Sequence, residues 1–326
     1  MKLKICVYGA GAGGGHFAVK LARAGHDVSI VARGPQLDAI RQQGLRLRNG
    51  EEVLEASVTA SEDPRELGVQ DFVIVSVKAT ALGEITDRLA PLVSKSTSVV
   101  FPQNGIPWWY PVGLSAACPP LPLFSLGRRF LDVVQPEQVI GGIIYSANEI
   151  EAPGVIRNNS PGYNRLDVGG MNDKETSAVS ELRSALEHAG LLSERMINIR
   201  SAVWRKLLAN MSGSAIALVT RKKSAACRDD AAMSEIFRRL VREGAAVAAA
   251  SGFPLDVDPD AMLARLSDHK PSILQDYEQK RPMEIAEILL APIAFARAAS
   301  VTTPTLDVIA ALATNMAVER GLYISQ

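Results

Sequence analysis

Short apolar runs alternate with helically spaced apolar positions through the first half of the chain. Residues 3–8, 28–31, 71–77 and 98–101 have the length and apolar character of buried strands, and residues 17–24 carry a helical pattern between the first two. That alternation predicts βαβ units on a parallel sheet, whose strands are covered on both faces and so read as near-continuous apolar runs. Residues 139–150, 155–157 and 166–168 also read as strands, with Pro153-Gly154 as a turn, and are expected to extend the same sheet. Between the two sets, residues 107–122 are rich in proline and aromatics and predict a long irregular connection. From Asn198 onward the period changes: residues 201–218, 229–250, 283–299 and 306–319 place apolar side chains at helical spacing, and strand patterns nearly vanish. The expectation is an α/β protein with an N-terminal parallel-sheet domain over residues 1–197 and an all-helical C-terminal domain over residues 198–326. No internal repeat or low-complexity tract appears, and helix propensity accounts for the alanine of the second half.

Composition agrees with this division. A chain of 326 residues, 47% hydrophobic and 21% charged, is long enough for two ordinary globular cores. Thirty-five basic residues balance thirty-five acidic ones, so no overall field draws the chain to nucleic acid or to an anionic membrane, and neither partner is expected. No run approaches the roughly 20 apolar residues needed to cross a bilayer. Met1-Lys2-Leu3-Lys4 imitates the basic start of a secretion signal, but the apolar stretch behind it ends in glycine, as a buried strand would. Cys6, Cys118 and Cys227 form neither a CxxC pair nor a zinc spacing, which fits a reducing, cytoplasmic setting and no metal. Cys6, inside an apolar run, reads as a packing residue.

The loop Gly9-Ala10-Gly11-Ala12-Gly13-Gly14 lies between the first apolar run and the first helical pattern, and residues 28–31 then complete one βαβ unit. In that context a GxGxxG sequence predicts a Rossmann-type dinucleotide site. Gly9 permits the tight turn, Gly11 lets backbone approach a pyrophosphate, and Gly14 lets the helix pack closely on the strand. Gly13 and Gly15 have no such role and read as a small-residue helix face. Where an NAD site presents Asp or Glu to the ribose, roughly 20 residues on, this chain presents Arg33. A guanidinium meets a 2′-phosphate that a carboxylate repels, so NADP(H) is the expected cofactor, against the alternative of a solvated loop arginine. Lys78 closes the run 71–77 at a carboxyl end, where parallel sheets bind ligands, and is a candidate second phosphate partner. Gln103-Asn104-Gly105 follows the run 98–101 in the same way and reads as a site loop rather than a simple turn.

In the second half Lys206, Asn210 and Ser214 fall four apart and share a helix face. Such a stripe is a solvated surface or a site wall, and spacing does not decide between them. The set of GAGAGG, Arg33, Val77-Lys78-Ala79, Gln103-Asn104-Gly105, Lys206-Leu207-x-x-Asn210, Ser272-x-x-Gln275-Asp276 and Arg281-x-x-Glu284, in this order, resembles the ketopantoate reductase family over nearly the whole chain. The resemblance implies NADPH-dependent reduction of 2-dehydropantoate to D-pantoate, at a site between a Rossmann domain and a helical one, with a small 2-oxo acid as substrate. It implies Lys206 as the general acid and Glu284 as the carboxylate beside it. Asn210, Ser214 and Ser272 become substrate-binding positions, Asn104 lies at the cofactor and substrate junction, and Ala147 becomes a backbone contact to the cofactor. Taken singly, Glu284 also reads as a first-turn helix carboxylate and Ser272 as a helix cap after Pro271.

Three departures from the family pattern bear on the substrate. Ser214 stands where a second asparagine is usual, Met283 where threonine precedes the glutamate, and Leu289-Leu290 where Asn-Gly is common. These changes imply a larger, more apolar pocket and leave another 2-oxo acid in competition. Trp108, Trp109 and Tyr110 read equally as cover for the site or for a sheet edge. β-Hydroxyacid dehydrogenases also join a Rossmann loop to a helical domain with a catalytic lysine, but the block from Ser272 to Glu284 favours the first family. A non-catalytic NADP-binding protein would need no Lys206 and Glu284. Nothing in the sequence fixes the oligomeric state, and a homodimer stays open.

Overall fold

Three strands with level ends set the geometry of the first half. In the computed structural model, which describes residues 1–266 and 268–324, β1 (Lys4–Tyr8) is followed by α1 (Ala12–Arg23) and β2 (Asp27–Val31). The chain continues through α2 (Gly34–Gln43), β3 (Leu45–Asn49), β4 (Glu52–Ala56), β5 (Thr59–Ser61), β6 (Phe72–Val75) and β7 (Ser98–Phe101). Then come α3 (Ser125–Leu131), β8 (Val139–Ile144), β9 (Asn148–Ala152), β10 (Val155–Asn158), β11 (Leu166–Gly170) and α4 (Ser177–His188). Seven strands form one sheet in the order β11-β8-β7-β6-β1-β2-β5, all parallel except β11. Tyr8 pairs with Val31 on one side and Val75 on the other, so β1, β2 and β6 end together. The chain winds outward from β1 in both directions, which puts the topological switch point, and the expected ligand crevice, at their carboxyl ends.

The expectation that residues 148–158 extend this sheet is corrected. β8 and β11 do extend it, but β9 and β10 join β3 and β4 in a second, four-stranded sheet of order β4-β3-β10-β9. Only alternate residues of β3 and β10 are buried, and β9 is wet throughout, which suits a small sheet with one face in water. α1 packs against strands of both sheets. Adjacent glycines make this possible, since neighbouring helix residues point about 100° apart. A Cβ added at Gly14 would lie 2.0 Å from the Gly9 carbonyl oxygen, and one at Gly15 would lie 2.7 Å from the Ile156 side chain. Gly15, read from the sequence as part of a small-residue helix face, is therefore the contact to the second sheet.

The second unit is helical: α5 (Ile199–Ala209), α6 (Ala215–Thr220), α7 (Ala231–Ala250), α8 (Pro259–Ala264), α9 (Ser272–Glu278), α10 (Ala291–Ala298) and α11 (Pro304–Glu319). The Asp230 side chain caps α7 by accepting from the N–H groups of Ala232 and Met233. Two π-turns, Asn210–Ser214 and Ala286–Leu290, interrupt what the apolar period presents as unbroken helices over 201–218 and 283–299. Each has a local cause. The Ser212 hydroxyl donates to the Leu208 carbonyl four residues back, which widens the turn. Pro292 has no N–H for the carbonyl four residues before it and its ring crowds that position.

Contacts divide the chain less simply than one cut at residue 197. The first unit is Met1–Gln103, Pro111–Ser115 and Ser125–Ile199; the second takes Asn104–Tyr110 and Ala116–Phe124 as well as everything from Arg200. The aromatics explain the first exchange. Trp108, Trp109 and Tyr110 are fully buried, and Tyr110 meets Trp204, Phe253 and Phe295 edge-on while its hydroxyl accepts from the Trp204 indole N–H at 2.7 Å. Tyr110 is thus a core residue of the helical unit, which corrects its reading as cover for a site or a sheet edge. Among the described residues no helix is long and apolar enough to cross a membrane.

Candidate active site

In the first unit the loop after β1 is built for close approach. Gly9 adopts φ +110°, a conformation L side chains rarely reach; its N–H donates to the Val31 carbonyl at 3.0 Å and its carbonyl accepts from the Ser76 hydroxyl at 2.7 Å. α1 then begins at Ala12 and Gly13 with Gly11 as its N-cap, no capping side chain and no acidic residue in its first turn. Its first N–H groups and the positive end of the helix dipole are left to an anion. A Cβ on Gly11 would meet nothing within 4 Å, so the space above the loop is open. The Ala10 carbonyl accepts from Gln36 Nε2 at 2.8 Å, and the Gln36 amide oxygen accepts from Gly154 N–H, which ties the loop to the second sheet. These features fit a bound pyrophosphate. Ser76 and Gln36 were not singled out in the sequence, because neither belongs to a motif.

Arg33 stands at the N-cap of α2, its side chain 75% exposed, with Nη1 3.4 Å from Glu84 Oε2. Together with Gly9, Ala32, Val77, Glu84 and Arg88 it lines a cleft of about 110 Å³ at the carboxyl ends of β1, β2 and β6. Lys78 is half-buried and stands at the N-cap position of the short turn that follows β6. Gln103 Nε2 donates to the carbonyls of Val75 and Val77 and fixes that strand end. Ala147 is placed differently: its N–H donates to Ser160 Oγ and its carbonyl accepts from Asn159 N–H, so the N–H is already used within the strand connection. A larger cleft, about 610 Å³, opens beside Leu3, His26 and His188 at the amino end of β1, the wrong end of the sheet for a dinucleotide.

In the second unit the structure brings together three of the sequence-predicted residues that lie far apart in the chain. Lys206 Nζ, on α5, donates to Asn104 Oδ1 at 2.8 Å, and Asn104 Nδ2 donates to Glu284 Oε2 at 3.2 Å. Only one orientation of the amide serves both neighbours, since an ammonium needs an acceptor and a carboxylate needs a donor. Asn104 is held by its neighbour Gly105, at φ +72°, where a Cβ would fall 2.4 Å from the Glu287 carbonyl oxygen. Ile106 N–H donates to that same carbonyl at 2.9 Å. Glu284 is 5% exposed and directly precedes the helical segment that opens the second π-turn; its own carbonyl accepts from Ile288 N–H. Met283 is fully buried, with its N–H on the Leu322 carbonyl, and Leu289 is fully buried as well.

Asn210 and Ser214 are half-buried at the two ends of the first π-turn, and Lys206 is half-buried one turn before them. The two π-turns pack on each other, and α9 packs on the first of them. Single π-turns inside helices recur at functional sites because they re-aim side chains. Ser272 is exposed as the first residue of α9; Pro271 takes the N-cap position and no side chain caps the helix, so the cap reading is corrected. Arg281 Nε donates to the buried Asp276 carboxylate at 2.9 Å and anchors the segment leading to Glu284. The thiols do not contribute: burial pushes Cys6 up to about 12 and Cys227 up to about 11, far from the reactive thiolate range. Among the described residues no group of three or more His, Cys, Asp or Glu is arranged to hold a metal.

A Rossmann unit with an open phosphate loop, and a helical unit presenting a linked lysine, asparagine and glutamate, define a dinucleotide-dependent oxidoreductase. Sequence comparison narrows the class. Residues 5–172 match the family described as ketopantoate reductase PanE/ApbA, and residues 198–317 match its C-terminal domain. The chain is 39% identical to the 2-dehydropantoate 2-reductase of Mesorhizobium japonicum, over 98% of this chain and 100% of that protein. A solved structure from Ralstonia solanacearum, provisionally assigned as a ketopantoate reductase, superposes with a TM-score of 0.89 at 30% identity, covering 99% of this chain and 100% of that one. A PanE/ApbA family ketopantoate reductase from Ralstonia eutropha gives 0.82 at 25% identity, covering 98% and 100%. The chain belongs to the ketopantoate reductase family.

Proposed function

We propose that the protein reduces 2-dehydropantoate to D-pantoate with NADPH. The observation that carries the reading is the chain from Lys206 through Asn104 to Glu284. Gly9, Ala10, Gly11, Ala12, Gly13 and Gly14 seat the pyrophosphate on the start of α1, while Arg33 and Lys78 meet the 2′-phosphate. When bound, the nicotinamide supplies the hydride to the ketone carbon of the substrate. Lys206 then gives a proton to the ketone oxygen, so that no free alkoxide accumulates, and recovers its proton from solvent. Asn104 orients the ammonium through its amide oxygen and transmits the charge of Glu284 through its amide nitrogen. Asn210, Ser214 and Ser272 supply the polar contacts to the substrate's carboxylate and hydroxyl. The cofactor work falls to the first unit and the proton work to the second. Three free cysteines support a reducing cytoplasm as the setting.

A second reading, reduction of a bulkier 2-oxo acid, is supported by Ser214, whose hydroxyl is shorter than the amide usual there. The test is steady-state consumption of NADPH and of NADH with a panel of 2-oxo acids. The proposal predicts the highest kcat/KM for 2-dehydropantoate with NADPH. A larger value for a bulkier acid would select the second reading, and no turnover of any of them would end both.

A further inference from the structure

We propose that Glu287 is a positioning residue of this site: a buried carboxyl that holds a proton while an anionic 2-oxo acid binds, and weakens that binding when the proton leaves. The inference rests on the reading of Lys206, Asn104 and Glu284 given above. Glu287 is 7% exposed, and its Oε2 has no hydrogen-bond partner among the described residues. It lies three residues after Glu284, within reach of that carboxylate's charge. Its backbone is the floor beneath the site loop, through the Ile106 N–H bond and the close approach of Gly105. Any change in the charge of Glu287 is therefore made beside the loop that carries Asn104 and within reach of the Glu284 charge.

The charge balance gives the sign. Lys206 and Glu284 carry opposite charges and cancel; a neutral Glu287 preserves that balance, and an ionised one leaves the site net negative. Desolvation, and after it the neighbouring charge of Glu284, push the Glu287 carboxyl up to about 7. Burial and the charge of Glu287 also raise the Tyr323 phenol. Among the described residues, the other elements packed around residues 286–290 bring no competing buried charge. Asp307 and Glu319 of α11 and Arg297 of α10 are exposed, the turn 210–214 has no titratable side chain, and the loop 104–110 offers only the Tyr110 phenol, raised far above neutrality by burial. The substrate is itself a carboxylate. Its binding should weaken as Glu287 ionises, whereas the hydride and proton transfers, once it is bound, should change less.

The experiment is the pH dependence, from pH ~6 to ~9, of KM and kcat for 2-dehydropantoate with NADPH, in the wild type and in Glu287→Gln. In the wild type KM should rise about tenfold across an apparent pKa near neutrality while kcat changes less than about threefold; in Glu287→Gln that rise should be absent. An equal rise in both proteins would overturn the proposal. Carbon-13 NMR titration of the glutamate carboxyls provides a measurement that needs no turnover. A signal with a midpoint near neutrality that is missing from Glu287→Gln supports the proposal, and a Glu287 midpoint in the ordinary carboxylate range overturns it. Should no 2-oxo acid turn over, the functional reading fails, and this titration still decides whether Glu287 holds the proton.

Discussion

Asn104 is the residue on which the site turns, because its one amide bonds an ammonium on one side and a carboxylate on the other. Lys206→Ala should lower kcat about 10²-fold or more, the scale of a lost general acid, with NADPH affinity unchanged in a fluorescence titration. Lost cofactor binding instead would mean that Lys206 has another task. Arg33 gives a second prediction. Its partner Glu84 repels the phosphate that Arg33 is proposed to bind, so Glu84→Gln should tighten NADPH several-fold and leave NADH nearly unchanged, by the same titration. Equal effects on both cofactors would remove Arg33 from phosphate recognition. At this scale the sequence disclosed Lys206, Asn104 and Glu284 because they sit in motifs. Glu287 belongs to no motif and was not singled out; its contacts are with the loop at Gly105 and Ile106, far away in the chain.

The glycine loop and the two π-turns belong to the scale of elements. Gly14 and Gly11 look alike in the motif, yet the structure separates them. A methyl group at Gly14 collides with the backbone of Gly9, while one at Gly11 meets open space. Gly14→Ala should therefore destabilise the protein itself, by about 1–3 kcal/mol in urea unfolding. Gly11→Ala should unfold like the wild type but lose most of the stabilisation that NADPH confers. Equal unfolding curves for the two variants without cofactor would contradict this account of the loop. The βαβ rhythm was readable because buried parallel strands are apolar on both faces. The second sheet was not, since β3, β4, β9 and β10 are half-wet and its central pair, β3 with β10, joins segments about a hundred residues apart in the chain. The π-turns escaped because a four-residue polar spacing fits an α-helix and a widened turn alike, and only Ser212 and Pro292 hint at the difference.

For the whole molecule, two buried titratable groups pull stability in opposite directions with pH. Burial holds His16 down to about 3, so between there and the ordinary histidine value the unfolded chain binds more protons, and stability falls as pH is lowered below that value. Glu287 is raised, so the folded chain binds more protons between the ordinary carboxylate value and about 7, and stability falls as pH rises through that window. Each slope is at most about 1.4 kcal/mol per pH unit. Glu287→Gln should thus gain stability relative to the wild type as pH is raised from ~5 to ~8, read by urea midpoints; a constant difference would mean that Glu287 titrates normally. Isotope transfer is the most direct measurement of the proposed reaction. With NADPH deuterated at the transferable position of C4 and 2-dehydropantoate as acceptor, the account predicts one deuterium at C2 of each pantoate formed, matched mole for mole by oxidised cofactor. Pantoate without deuterium, or no pantoate at all, would contradict it.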